Sequence, residues 1–155
     1  MAHRLTISPR IIEALYCEAL VLSDDVRNVF SLSGRLDTAR TDEDLARIAL
    51  SSEGLRTTTR MMHAIAWLLN HRAYHMGEIS AFQLRHHGRL SAEMRESDPR
   101  QFDLIDADVQ DLIERTRRFY DRLLRLDRGW RQMPEPAQTS AIQRLRDRIE
   151  RRLAV

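Results

Sequence analysis

The sequence predicts an all-α fold: a three-helix bundle of long helices, homodimeric, with a flexible or partly helical C-terminal tail. Three observations carry this. Leu, Ala, Arg, Asp and Glu dominate, while the 155 residues include only five glycines and four prolines, and aromatics make up 6%. That composition suits helices and not a many-stranded sheet. Apolar residues recur at three- and four-residue spacing over long stretches, and helix-start and helix-stop residues bracket those stretches.

The first helix starts at Ser8-Pro9, an N-cap followed by proline at the first helical position. It runs to about Leu32, with Ile12, Leu15, Ala19, Leu22, Val26 and Val29 as its apolar stripe and Gly34 as its stop. Cys17, the only cysteine, lies in the apolar stretch ALYCEAL and reads as a small buried hydrophobe. Thr41 caps the second helix, with Asp42, Glu43 and Asp44 in its first turn, where the helix dipole favours negative charge. This helix reaches Met76, with a break expected at residues 51–54, SSEG, and Gly77 as its natural end. A short further helix falls within residues 78–87. Ser97 or Asp98, followed by Pro99, opens a third helix that settles near Asp106. It runs to about Arg128 on the stripe Ile105, Val109, Leu112, Thr116, Phe119, Leu123 and Leu126, and Gly129 stops it.

The bundle domain therefore spans residues 9–128, and residues 129–155 form a linker and basic tail. Pro134 and Pro136 mark the linker. From about Ser140 a last helix is expected on a narrow seam of Ile142, Leu145, Ile149 and Leu153, marginal on its own in water. All 25 basic residues are arginine, so lysine Schiff-base chemistry is excluded. Six arginines face Glu135, Asp147 and Glu150 in residues 129–155, a balance of +3; the other 19 face 20 acids, a balance of −1. The folded body is thus charge-balanced, unlike a domain with a one-sided nucleic-acid-binding face. No signal peptide or membrane-length apolar run is present, which predicts a cytoplasmic protein.

The middle helix is apolar on two sides. Leu55, Met62, Leu69 and Met76 repeat every seven residues, joined by Thr58, Ile65 and Ala73, and read as the core stripe. Ala64, Trp67 and Leu68 lie opposite, and His71 continues them. A helix apolar all round must be covered all round: either it is the central helix of a three-helix bundle, or its second face meets another subunit. On the latter reading this face is predicted as the homodimer interface.

His71, His75 and Glu78 sit at i, i+4 and i+7 in HRAYHMGE, which raises a metal site, and with His63 a metal-dependent helical-bundle enzyme. The zinc motif on a helix places glutamate beside the first histidine. Here that neighbour is Arg72, a cation that opposes a metal ion, and it is expected to pair with Glu78. The expectation is no metal, no cofactor and no enzymatic activity. A weaker alternative is a nucleic-acid-associated regulator acting through the arginine-rich tail.

The stretch GLRTTTRMMHAIAWLLNHRAYHMGEIS resembles the signature of the RcdA family, regulators of CtrA degradation. The matching residues are Leu55, Thr58, Thr59 and Arg60, then Trp67, Leu68 and Leu69, then Arg72, Ala73, Gly77 and Glu78. LYCEALVLSDDVR and RRFYDRLLRLD resemble the family's first and last helices, so the likeness covers about residues 11–128. It implies a helical-bundle homodimer without catalytic activity. Such proteins are adaptors that tether substrates or further adaptors to the ClpXP protease in cell-cycle-regulated proteolysis. On this resemblance Arg60, Arg72 and Glu78 become candidate partner-binding residues. Ile142, Leu145, Ile149, Leu153, Ala154 and Val155 become candidates for docking the tail on the unfoldase or its priming adaptor.

Overall fold

The computed structural model describes residues 7–32, 41–133 and 149. Every regular element among them is helical. Helix α1 spans Pro9–Leu32. The Ser8 hydroxyl accepts from the Arg10 amide at 3.2 Å, and its carbonyl accepts from Ile12 at 3.2 Å. Ile12, Leu15, Ala19, Leu22 and Val26 are buried as one stripe.

Helix α2, Thr41–His75, is unbroken. The glycine expected to break it serves α1 instead. A Cβ on Gly54 would meet Phe30 Cδ1 at 2.7 Å, so the missing side chain lets the two helices close on each other. At the other end Gly77, with φ of +77°, reverses the chain. The Glu78 amide donates to the Ala73 carbonyl at 2.9 Å and that of Gly77 to Tyr74 at 3.1 Å, the paired bonds of a glycine C-cap.

Residues 76–106 then run back along the bundle. This strap holds α3 (Ala81–His87), a 3₁₀ turn (Ala92–Arg95) and α4 (Pro99–Phe102). Ser80 and Gln83 cap α3 reciprocally, and Asp98 caps α4, accepting from the Arg100 amide at 3.0 Å. Helix α5, Ala107–Gln132, passes through Gly129 instead of stopping there. Burial of Trp130, 7% exposed, outweighs the cost of a helical glycine, about 1 kcal/mol. The bundle therefore extends beyond residue 128, and Trp130 belongs to the core rather than the linker.

Pairings fix the topology. Arg72 meets Glu13 and Gly54 meets Phe30, so α1 runs antiparallel to α2. Arg60 lies beside Thr116, Trp67 beside Asp127 and His71 beside Trp130, so α5 runs parallel to α2. Parallel neighbours cannot be joined by a tight turn, and the strap is the long return they require.

The two faces of α2 are reversed from the sequence expectation. Met61, Ala64, Trp67, Leu68 and His71 enter the core. The seven-residue stripe Leu55, Met62, Leu69 and Met76 faces outward, 43–70% exposed. The inward face wins because α1, α5 and the strap all pack on it, and because strap groups satisfy Glu53 and Arg60. Cys17 is also exposed rather than buried. Among the described residues, no helix is long and apolar enough to cross a membrane.

Candidate interaction surface and buried polar network

The buried face of α2 carries Glu53, Thr57, Arg60, Ala64, Trp67 and His71, spaced alternately four and three residues apart. That is a core repeat by spacing, yet four of its six members are polar. Arg60 is 0% exposed. Its Nε donates to the Met94 carbonyl at 2.7 Å, Nη2 to the Glu96 carbonyl at 3.1 Å and Nη1 to Thr116 Oγ1 at 2.9 Å. Thr116 passes its own proton to the Ile113 carbonyl at 2.7 Å. Burial pulls the Arg60 guanidinium down to about 10, aided by Arg117 and opposed by Glu53; it stays charged at neutral pH.

Glu53, also 0% exposed, accepts from Ser97 Oγ at 2.6 Å and from the Asp98 amide at 3.1 Å. Tyr120 donates to the Ser91 carbonyl at 2.5 Å, and burial pushes its phenol up to about 12. Further along, Trp67 Nε1 donates to Asp127 Oδ1 at 3.0 Å. Arg131 Nε grips both Asp127 oxygens at 3.1 and 3.0 Å, while its Nη1 donates to the Arg85 carbonyl at 2.8 Å. His71 packs against Trp67 with the rings tilted by 43° and their centroids 4.0 Å apart, and meets Trp130 edge-on at 5.5 Å. Burial drives it down to about 4, so the ring is neutral.

These placements revise the candidate sites. Ala64, Trp67, Leu68 and His71 are at most 2% exposed within a single chain; as the chain's own core, they are not a surface for a second subunit. Arg60 is likewise no partner-facing residue, since it holds the strap. Arg72 does not pair with Glu78. Its Nε forms an ion pair with Glu13 at 2.7 Å and the guanidinium lies 4.9 Å from the Tyr16 ring centre. Glu78 is exposed at the turn after α2. His63 is exposed while His71 is buried and His75 half-buried, so the three histidines do not converge. Among the described residues, no group of three or more His, Cys, Asp or Glu is placed to hold a metal ion. Ile149 is helical and 51% exposed. Ile142, Leu145, Leu153, Ala154 and Val155 lie outside the described residues.

What remains open for recognition is the outer seam of α2. Ile48, Leu55, Met62, Leu69 and Met76, seven apart, are all exposed, as is Leu45. Ser52, Thr59, Ala66 and Ala73 alternate with them on the same seam. Large knobs between small residues are what a second helix needs in order to pack. The sequence shows this repeat plainly, but its spacing is equally that of a core stripe.

The site thus belongs to a helical bundle with a partly polar interior and an apolar outer seam. Within that class, a family model described as protein of unknown function (DUF1465) matches residues 3–153. The chain belongs to this family. No curated protein and no solved structure matches it.

Proposed function

We propose that the chain is a non-enzymatic adaptor of the RcdA type, cytoplasmic and homodimeric, that tethers substrates or further adaptors to the ClpXP protease in cell-cycle-regulated proteolysis. One observation carries most weight: the seam Ile48, Leu55, Met62, Leu69 and Met76 is presented to solvent along a 35-residue helix. Exposed apolar surface that continuous marks a protein-binding site. The buried polar groups, by contrast, are mostly spent on holding the strap, and this favours a scaffold over a catalyst. In this reading the seam pairs two copies about a two-fold axis, the commonest way to cover such a face. Residues 139–155 contact the unfoldase or its priming adaptor, in the helix-in-groove mode, and the rest of the bundle carries cargo.

The test is reconstituted degradation by ClpXP with its response-regulator-like priming adaptor and candidate cargo. Addition of the chain is expected to accelerate cargo loss, and deletion of residues 139–155 to abolish that while leaving the helical fold intact. Undiminished delivery by the truncated chain would move the docking surface onto the helices. No stimulation under any pairing of cargo and adaptor would overturn the adaptor reading.

A further inference from the structure

A cavity of about 190 Å³ opens at the end of the bundle where α2 and α5 finish, lined by Ile7, Pro9, His71, Tyr74, His75 and Trp130. Two lining atoms are anomalous. His71 Nε2 and His75 Nε2 are both buried and both lack a hydrogen-bond partner. A buried polar atom left unpaired costs about 1–3 kcal/mol, and such an atom calls for an occupant. Here there are two, on the same cavity, one helical turn apart.

The rings are also held in place. His71 is 1% exposed and wedged between Trp67 and Trp130, and His75 lies against Tyr74, with ring centroids 5.4 Å apart. Arg72, the cation that argues against a metal ion on sequence grounds, and Arg131 are both paired with carboxylates. Arg72 is paired with Glu13 and turned over Tyr16, and Arg131 grips Asp127 through both carboxylate oxygens. Neither arginine lines the cavity.

We propose that His71 and His75 form a two-imidazole site for a late first-row divalent cation, with water completing the coordination sphere from the open side of the cavity. Paired imidazole nitrogens select copper, nickel and zinc over magnesium and calcium, and the affinity order should place Cu²⁺ above Ni²⁺ and Zn²⁺. With two protein ligands the site is exchangeable rather than structural; the closed sites that support folding use four. The competing occupant is water alone, which would satisfy the same two nitrogens.

The experiment uses the full chain, untagged and stripped of metal, titrated calorimetrically with Cu²⁺, Zn²⁺ and Mg²⁺. One equivalent of Cu²⁺ or Zn²⁺ is expected to bind and Mg²⁺ to give no heat. His75→Ala, a half-buried position at the last turn of α2, is expected to remove the stoichiometric phase without changing the helical circular dichroism. His3→Ala, His63→Ala and the double change His86→Ala with His87→Ala are expected to bind as wild type. A second readout needs no variant: Zn²⁺ should shift the Nε2 resonances of His71 and His75 together and leave that of His63 in place. Absence of saturable binding assigns the cavity to water and overturns the proposal. So does stoichiometric binding that survives His75→Ala, or a set of shifts that spares His71.

Discussion

Replacing Arg60 with methionine keeps most of the side-chain volume and removes the guanidinium fork. Three bonds vanish at once, to the Met94 and Glu96 carbonyls and to Thr116 Oγ1. Bonds to a charged donor contribute about 1.5–3 kcal/mol each and do not add independently. Loss of one partner from a buried charged network costs about 3–5 kcal/mol. Against this stands relief of the desolvation that pulls the Arg60 guanidinium down to about 10. The expected net loss is about 2–4 kcal/mol, and at about 2–4 °C per kcal/mol for a chain of this size the melting point should fall by about 5–15 °C. Urea unfolding gives the free energy. Amide exchange shows where it acts, with protection expected to fall across residues 91–98 before it falls in α1. Arg60→Lys keeps the charge but cannot reach three acceptors, and should fall between. A loss below about 1 kcal/mol, with exchange in the strap unchanged, would refute the view that Arg60 holds the strap in place.

Trp67→Arg is expected to unfold the chain rather than merely release a partner, because Trp67 is 2% exposed and bonded to Asp127; circular dichroism reads this directly. Met62→Arg, on a side chain 65% exposed, should leave the fold intact and give a monomer by light scattering; a wild-type chain that is itself monomeric at tens of micromolar would sink the dimer reading. Gly54→Ala places a methyl 2.7 Å from the Phe30 ring and should cost about 1–3 kcal/mol in thermal melts, with Phe30→Leu restoring part of it. The Tyr120 phenol, pushed up to about 12 by burial, is neutral in the fold where an unfolded tyrosine ionises near 10. Its contribution is therefore complete below pH 10 and lost as pH rises towards 12. Phenolate absorbance should show a late step that Tyr120→Phe removes.

The legible parts of this fold are those where apolarity and burial coincide. Ile12 to Val26 in α1, and Leu112, Phe119 and Leu123 in α5, are buried as their spacing indicates. In α2 the two criteria conflict. The more apolar repeat, Leu55 to Met76, lies outside, and the buried repeat is written in Glu53, Thr57, Arg60 and His71. Spacing alone identifies both repeats; only the strap, whose carbonyls partner Arg60 and whose hydroxyl and amide partner Glu53, decides between them. Gly54 illustrates the same limit. As a residue type it signals a helix break, and its use as the point where Phe30 closes on α2 depends on a neighbour remote in sequence. The two unpaired histidine nitrogens fall in the same category, since their shared cavity is finished by Ile7, Pro9 and Trp130 from other parts of the chain.

Why the interior is polar at all follows from the strap. Between α3 and α4 the chain has only one 3₁₀ turn, so most of its backbone groups lack ladder partners while lying against the bundle. Buried carbonyls need donors from elsewhere. Tyr120 supplies Ser91, Arg60 supplies Met94 and Glu96, Arg117 Nε supplies Arg95 at 2.8 Å, and Glu53 accepts from the Asp98 amide. Successive strap residues are thus each met by a side chain from α2 or α5, and the order of those side chains along the two helices fixes the strap's register. An apolar replacement of the whole set would not be neutral, as it can be for an isolated buried ion pair, because the carbonyls it leaves behind belong to the backbone and cannot be substituted away. Arg60 and Glu53 therefore act first on the path of residues 76–106. By drawing that strap onto the inner side of α2, they leave the outer seam uncovered and available to a partner.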